Sequence, residues 1–177
     1  MSHRAFFLLL ALTLAGCLAR NPALPPRAET AGTARSASKS DIHGAWKVLE
    51  TAARTPGDDW VVRPRPEQSL YVFTERHYSY MYTFGVGPRP RFAGDPNRPT
   101  EAEKAAAYDS FIAGAGTYTL AADSLTLDAV LRRNPNEMTG LPLRYQLERS
   151  ADTLRLTIVN PPFLPGREWR TVLIRIG

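Results

Sequence analysis

The sequence predicts an all-β domain, an antiparallel up-and-down β-barrel of eight strands with one short α-helix. Apolar and polar residues alternate with a period of two from Asp41 onward, which is typical of half-buried strands. Most of the 15 prolines fall between the alternating runs, where turns are expected. With 177 residues, the chain has room for one globular domain and short additional segments.

Eight alternating runs are predicted as strands, and short turns join several of them into hairpins. Closing the strands into a barrel removes the exposed edges that an open sheet would leave. The interior of such a barrel is either filled by side chains or holds one small ligand. The predicted strands are Ile42–Glu50, Ser69–Thr74, His77–Phe84, Gly116–Leu120, Ser124–Leu131, Arg144–Glu148, Thr153–Val159 and Arg170–Ile176.

One helix is predicted to begin after Thr100. Thr100 and Glu103 have the spacing of a capping box, and the helix is expected to end before Gly114. The segment 85–99 before it is rich in Gly, Pro and Arg, and its length indicates either a binding loop or lid, or a loose insertion. The residues that favour the helix are Ala102, Ala105, Ala106, Ala107, Phe111 and Ile112.

The third predicted strand indicates which side chains line the interior. Its tyrosines Tyr78, Tyr80 and Tyr82 alternate with a second set that includes Met81, so only one set faces inward. We expect the tyrosines to face inward, because large rings with hydroxyl groups suit an amphiphilic ligand. The alternative places Met81 inside and gives a narrower lining. The other expected ligand-lining residues are Leu70, Val72, Leu127, Leu156 and Ile158.

The first 17 residues contain a short basic start and an apolar run. The run Ala5–Leu14 is too short to span the ~30 Å hydrocarbon core of a bilayer, which indicates a secretory signal. The following Leu14-Ala15-Gly16-Cys17 resembles the lipobox of bacterial lipoprotein precursors. This resemblance implies that residues 1–16 are a signal peptide and that Cys17 receives a diacylglyceryl group. The alternative is an ordinary secretory signal in which Cys17 has no role.

Residues 17–40 are predicted to be a flexible tether between the acylated cysteine and a barrel domain at 41–177. They are rich in proline and small residues and show no hydrophobic periodicity. Two or more acyl chains hold a protein stably on a membrane. We therefore expect a lipid-anchored protein of the bacterial cell envelope. By resemblance to lipoprotein sorting, it is expected at the periplasmic face of the outer membrane, because no aspartate follows Cys17.

The chain is basic, with 22 Lys and Arg against 17 Asp and Glu, a net charge of +5 and a pI of about 9.7. Such a balance raises nucleic acid as a partner. We predict no nucleic-acid binding, because the sequence has neither a basic helix nor the aromatic motif of RNA-binding sheets. The charge favours anionic lipid head groups or an acidic ligand, unless it is only a solvated surface.

The sequence offers few groups for catalysis or metal binding. Its one cysteine is expected to be acylated, which excludes a Cys-His nucleophile, and only His43 and His77 remain outside the signal segment. Asp58 and Asp59 are adjacent, without the alternate spacing of a calcium loop. Asp128, in an otherwise apolar run, is the best candidate for a buried functional acid. No catalytic residue, metal or cofactor is predicted.

Several short motifs occur in an order that resembles a bacterial lipocalin-like domain family. They are Gly44-Ala45-Trp46 in the first strand, Gly116-Thr117-Tyr118 after the helix, Pro135-Asn136 with Gly140, and Asp152-x-Leu154-x-Leu156 in a late hairpin. The resemblance spans residues 42 to 175 and implies a barrel that encloses a small, largely apolar ligand. It also implies that Trp46, after Gly44, closes one end under a basic side chain from the last strand. Relatives often carry histidine at Leu127-Asp128, so no histidine-based role is transferred.

The barrel topology predicts which basic side chain covers Trp46. The first and last strands of an up-and-down barrel pair antiparallel, so Trp46 is expected beside the end of the last strand. We expect the Arg175 guanidinium to stack on the Trp46 indole, with Arg170 as the alternative.

Three functions remain open from the sequence. The first is a lipid-anchored module that binds a small apolar or amphiphilic ligand in the barrel. The second is an envelope protein with a filled barrel whose outer face binds another protein or the cell wall. The third is a barrel enzyme that uses tyrosines and acidic residues on a hydrophobic substrate. A cavity inside the sheet separates the first two. Asp128 or a tyrosine that lines this cavity with a strongly shifted pKa would favour the third.

Overall fold

The predicted runs form antiparallel strands that follow one another around a single sheet. The computed structural model describes residues 38–63, 65–85 and 87–177, so the expected signal peptide 1–16, Cys17 and the tether up to residue 37 lie outside the described residues. The strands are β1 (Gly44–Arg54), β2 (Val61–Arg63), β3 (Ser69–Phe73), β4 (His77–Thr83), β5 (Phe111–Ala121), β6 (Ser124–Arg132), β7 (Leu143–Ser150), β8 (Thr153–Val159) and β9 (Glu168–Arg175). The helices are α1 (Lys39–Ile42), α2 (Glu101–Asp109) and a 3₁₀ turn at Pro135–Glu137. Of the helices described, none is long and apolar enough to cross a bilayer.

Pairing between the first and last strands closes the sheet into a barrel. β1 runs antiparallel to β9, from Trp46 opposite Arg175 to Arg54 opposite Glu168. Strands β3 to β8 each pair with the next strand along the chain, and β3 also pairs with β1. The predicted eight-stranded antiparallel barrel is therefore confirmed. The short β2, which was not predicted, pairs with the second half of β1 beside the eight-stranded ring.

The core lies inside the barrel because alternate side chains of each strand point to its centre. In β8, Leu154, Leu156 and Ile158 are buried, whereas Arg155 between them is exposed. The buried side chains of the strands join into one apolar cluster. The period-two pattern of the sequence thus becomes one continuous core.

The start of β5 differs from the prediction. Phe111 and Ile112, expected at the end of the helix, are the first residues of β5 and lie opposite Thr83 and Tyr82 of β4. Phe and Ile are weaker helix formers than strand formers, and pairing with β4 outweighs the helical pattern. The strand expected to start at Gly116 therefore begins at Phe111, and α2 ends at Asp109.

In the connection between β4 and β5, the segment that precedes α2 is held against this helix by specific contacts. The predicted capping box is present, because Glu103 N donates to Thr100 Oγ1 and Thr100 N donates to the Glu103 carboxylate. The same carboxylate accepts a hydrogen bond from Ala93 N at 2.8 Å. Arg89 donates to Ala107 O and Ser110 Oγ, both at 3.0 Å. Of the two interpretations of segment 85–99, these contacts favour the ordered loop.

Candidate functional site

The two ends of the barrel differ in the length of their connections. The turns at residues 74–76, 122–123 and 151–152 join strands at one end, which we call the plugged end. The longer connections 55–68, 84–110, 133–142 and 160–167 lie at the other, which we call the loop end. Long connections on a rigid sheet are where binding residues concentrate. The loop end is therefore the candidate opening of the barrel.

Trp46 fills the plugged end. Its side chain is fully buried, and its indole Nε1 donates to Ile42 O at 2.9 Å. The Arg175 guanidinium carbon lies 4.2 Å from the centre of the Trp46 ring system, which confirms the predicted contact. Arg170, the alternative, instead lies 4.4 Å from the ring of Trp60.

Arg175 also ties α1 to the last strand. Its guanidinium donates to Asp41 O at 2.7 Å and to His43 O at 2.5 Å. Gly44, the next residue, has a φ of +122°, and a Cβ there would lie 2.6 Å from Gly177 O. Only glycine fits this position, because a side chain would meet both backbone strain and a backbone atom. The predicted group of Gly44, Trp46 and Arg175 is thus assembled at one end.

An aromatic wall, defined as Tyr71, Phe73, Tyr78, Tyr80 and Tyr82, lines one side of the interior. All five side chains are buried. The rings of Tyr71 and Tyr80 stack with their centres 5.0 Å apart and an angle of 18°. The ring centres of Tyr78 and Tyr82 lie 6.1 Å and 6.4 Å from that of Tyr80. The expectation that the tyrosines of β4 face inward is confirmed.

The expectation that Leu70 and Val72 line the interior was wrong. Leu70 is 40% exposed and lies opposite Met81, which is 55% exposed, on the outer face. The inward residue of β3 is Tyr71, opposite Tyr80, and directly opposite residues share a face of the sheet. Because β3 is apolar on both faces, the alternation within the strand did not determine its orientation.

An aliphatic wall completes the interior on the side of β6 to β9. The predicted lining residues Leu127, Leu156 and Ile158 are all buried there. The aliphatic wall is defined as Leu125, Leu127, Leu143, Leu147, Leu154, Leu156, Ile158 and Leu173. The interior therefore has one aromatic and one aliphatic side.

Two glycines of β5 face the aromatic wall. Gly114 lies opposite Tyr80 and Gly116 opposite Tyr78 in the ladder between β4 and β5. A Cβ on Gly114 would lie 2.8 Å from Tyr80 Cζ, so the missing side chain allows the tyrosine ring to lie across β5. Across the next strand pair, Gly114 lies opposite Arg132 of β6. In this row of the sheet, Gly114 therefore lies between Tyr80 on β4 and Arg132 on β6.

Arg132 is a buried cation that the sequence analysis missed. Its side chain is only 3% exposed, and its Nη1 lies 3.8 Å from Glu137 Oε2 of the 3₁₀ turn. Within the described part of the chain, the buried Arg132 Nε has no hydrogen-bond partner, and neither does the buried hydroxyl of Tyr78. A bulge opposite Ala115 shifts the alternation of β6, so Leu131 is exposed and Arg132 faces inward. A bulge of this kind leaves no clear sign in the sequence.

The pKa values of the tyrosines indicate where the Arg132 charge acts. Burial raises the pKa of Tyr80 to about 12, and the Arg132 guanidinium opposes this increase. Burial also raises the pKa of Tyr78 and, by a larger amount, that of Tyr145 on β7, and Arg132 again opposes both increases. One guanidinium therefore acts on phenols of both β4 and β7, consistent with a position inside the barrel.

A pocket of about 210 Å³ opens at the loop end. It combines inner residues, such as Thr51 and Tyr82, with residues of the surrounding connections. It therefore lies at an edge of the aromatic wall. Its lining residues are Thr51, Arg63, Pro66, Tyr82, Thr83, Phe84 and Gly85.

Strands β3 to β6 carry two apolar grooves on their outer side, of about 280 and 320 Å³. The smaller groove also reaches Tyr80, Gly114 and Arg132. Met81 and Phe111 contribute to both grooves. Leu70 lines the larger groove and Leu131, which is 68% exposed, lines the smaller one. The barrel thus presents an apolar surface outside as well as an aromatic wall inside.

The candidate groups for catalysis lie apart from this interior. Asp128 is exposed and lies opposite the exposed Thr117, on the outer face. His77 is also exposed. In the described ranges, no group of three or more His, Cys, Asp or Glu side chains is arranged to hold a metal ion. The outward Asp128 removes one of the two features that would favour the barrel-enzyme hypothesis. The other is an inner tyrosine with a shifted pKa, and Tyr80 has this feature.

No protein-family model matches the chain, and no curated protein matches it. Several solved structures are similar to it, two of them from Bacteroides. One is an uncharacterized protein from Bacteroides eggerthii, 12% identical, with a TM-score of 0.42, where the match covers 77% of this chain and 100% of that one. The other is a lipocalin-like protein from Bacteroides uniformis, 13% identical, with a TM-score of 0.42 and coverage of 77% and 99%.

Proposed function

We propose that this protein is a lipid-anchored binding protein whose barrel holds one small, mostly apolar molecule. The observation that carries the proposal is the composition of the interior, where tyrosines form one side and aliphatic residues the other. A core built only for stability uses tyrosine where its hydroxyl finds a partner. The buried hydroxyl of Tyr78 finds none in the described ranges. A bound molecule is expected to supply that partner.

The two walls favour a flat, partly aromatic or amphiphilic molecule. Aromatic rings prefer stacked or edge-on contacts, worth about 0.5 to 1.5 kcal/mol beyond the area they bury. The stacked rings of Tyr71 and Tyr80 offer such a face, and Leu127 and Leu156 offer aliphatic contacts from the other side. The pocket bounded by Thr51 and Tyr82 would be the route of entry.

Titration with the neutral fluorophore N-phenylnaphthylamine tests the proposal. Saturable binding of one molecule per chain is expected, and Tyr80→Ser should weaken it by about tenfold through loss of the stacking face. Met81→Ser is the matched control, since Met81 is the adjacent residue on the outer face. No saturable binding, or weakening by Met81→Ser alone, would overturn the proposal.

The second candidate function is an interaction through the outer face of a filled barrel. It is favoured by the exposed Leu70, Met81 and Leu131 around the two outer grooves. Exposed apolar patches of this kind often mark binding surfaces. Loss of fluorophore binding in Met81→Ser but not in Tyr80→Ser would favour this candidate.

We further propose that Cys17 anchors the protein at the periplasmic face of the outer membrane. The support is the lipobox-like Leu14-Ala15-Gly16-Cys17 with no aspartate after the cysteine. The full chain should partition with membranes and carry acyl mass, and Cys17→Ser should release it or leave it unprocessed. Ser36→Ala is the control in the tether and should leave partitioning unchanged. Soluble wild-type protein without acyl mass would contradict the anchor.

A further inference from the structure

We propose that Arg132, together with the Tyr78 hydroxyl, binds an acidic group of the molecule held in the barrel. This inference rests on the proposed function and specifies the class of ligand as an amphiphilic acid, carrying a carboxylate or a group of similar charge. A buried cation is unusual in this part of the barrel, because the other charged residues of β6 and β8, Asp128 and Arg155, face outward.

The first argument is the incomplete pairing of a buried charge. A buried guanidinium is costly unless its charge is balanced and its N–H groups are hydrogen-bonded. Glu137 lies 3.8 Å away, close enough for an ion pair but too far for a hydrogen bond. The Nε atom of Arg132 has no partner in the described part of the chain. An acidic group is the ligand chemistry that satisfies both the charge and the donor.

The second argument is that a second unpartnered group lies on the same inner face. The Tyr78 hydroxyl is buried and without a partner in the described ranges, and it can donate to an anion. Tyr78 and Arg132 approach the interior from either side of β5, where Gly116 and Gly114 carry no side chains. The two groups are close enough for the Arg132 charge to act on the pKa of Tyr78.

The third argument concerns Glu137. This carboxylate belongs to the 3₁₀ turn of a loop-end connection, and its side chain is 15% exposed. A carboxylate at 3.8 Å partly balances the arginine charge, and an incoming acid must compete with it. Removing the Glu137 charge should therefore strengthen the binding of an acid.

Two probes with the same ring system separate this inference from the proposed function. Anilinonaphthalene sulfonate carries an acidic group that N-phenylnaphthylamine lacks. We expect the wild-type chain to bind the sulfonate more tightly than the neutral probe. Arg132→Met should weaken sulfonate binding by about tenfold or more, as expected for a hydrogen bond to a charged group, and leave neutral binding nearly unchanged.

Three more variants complete the test. Tyr78→Phe removes one hydroxyl without changing the packing, and should weaken sulfonate binding severalfold even if Arg132→Met fails to fold. Glu137→Gln should strengthen it. Arg155→Gln, an equal loss of charge on the outer face beside Glu148, is the control and should have no effect.

The outcomes distinguish the two claims. Neutral and acidic probes that bind equally, with no effect of Tyr78→Phe or Glu137→Gln, would overturn the acid site and leave the proposed binding function intact. Failure of both probes to bind would overturn the proposed function itself. Equal weakening of both probes by Tyr78→Phe would assign Tyr78 to packing and contradict the acid site.

Discussion

The guanidinium of Arg175 lies 4.2 Å from the centre of the Trp46 ring system while it donates hydrogen bonds to Asp41 O and His43 O. One side chain thus covers the indole at the plugged end and ties the segment before β1 to the last strand. Because β1 and β9 are the pair that closes the barrel, this contact also supports the closure.

Truncation of the plug should destabilise the barrel strongly. Trp46→Ala is expected to lower the free energy of unfolding by about 3 to 5 kcal/mol, because it empties a fully buried site. Arg175→Met should cost about 1 to 3 kcal/mol through loss of the cation–π contact and two hydrogen bonds. Chemical denaturation measures both, and Leu141→Ala, at a side chain that is 71% exposed in the connection 133–142, is the control. A Trp46→Ala protein as stable as the wild type would remove the structural role of this residue.

The contact between Gly114 and Tyr80 should make position 114 intolerant of a methyl group. Gly114→Ala places a Cβ 2.8 Å from the Tyr80 ring and should cost about 1 to 3 kcal/mol of stability. Tyr80→Ala should remove most of that penalty in the double variant, which a double-mutant cycle measures. Gly94→Ala, with no atom within 4 Å of the added Cβ, is the matched control. Additive effects at 114 and 80 would contradict the contact.

The unpartnered hydroxyl of Tyr78 predicts an unusual response to its removal. Tyr78→Phe should leave the stability of the ligand-free protein unchanged or raise it, because a buried hydroxyl without a partner is unfavourable. Tyr118→Phe should lower it by about 1 kcal/mol, since the Tyr118 hydroxyl donates to Thr74 O at 2.7 Å. Thermal unfolding of the two variants checks the contrast. A larger loss for Tyr78→Phe than for Tyr118→Phe would mean that its hydroxyl has a structural partner.

The raised pKa values of the inner tyrosines predict alkaline destabilisation. Burial raises the pKa of Tyr80 from 10.0 to about 12, so the unfolded chain loses this proton at lower pH than the folded chain. The stabilising effect is therefore complete below pH 10 and is lost between pH 10 and about 12. Denaturation across this range, with phenolate absorbance recorded, should show Tyr80→Phe declining less steeply than the wild type. Identical pH profiles would contradict the shift.

The features that topology imposes could be predicted from the sequence. The first and last strands of an up-and-down barrel must pair, and this places Arg175 beside Trp46. Strict alternation in β4 limited its inner face to one of two sets, and the preference for the large tyrosine rings selected the correct one. Both predictions depend on period and connectivity, which the sequence displays directly.

The errors occurred where alternation is ambiguous or interrupted. β3 is apolar on both faces, so its orientation depends on its register with β4, and Leu70 and Val72 were assigned to the wrong side. Arg132 follows a bulge that reverses the expected alternation, so a charge at the end of an apolar strand faces inward. Phe111 and Ile112 belong to β5 because pairing with β4 outweighs the helical pattern before them. Each case depends on a partner strand, which local patterns do not reveal.

The central claim is that the barrel holds a small amphiphilic molecule, and native mass spectrometry of the full chain purified from its own host in mild detergent tests it most directly. The expected result is a complex of one chain with one small molecule, which Tyr80→Ser and Arg132→Met retain less than the Met81→Ser control. The contradictory result is the bare mass of the chain, both as purified and after addition of excess N-phenylnaphthylamine and anilinonaphthalene sulfonate.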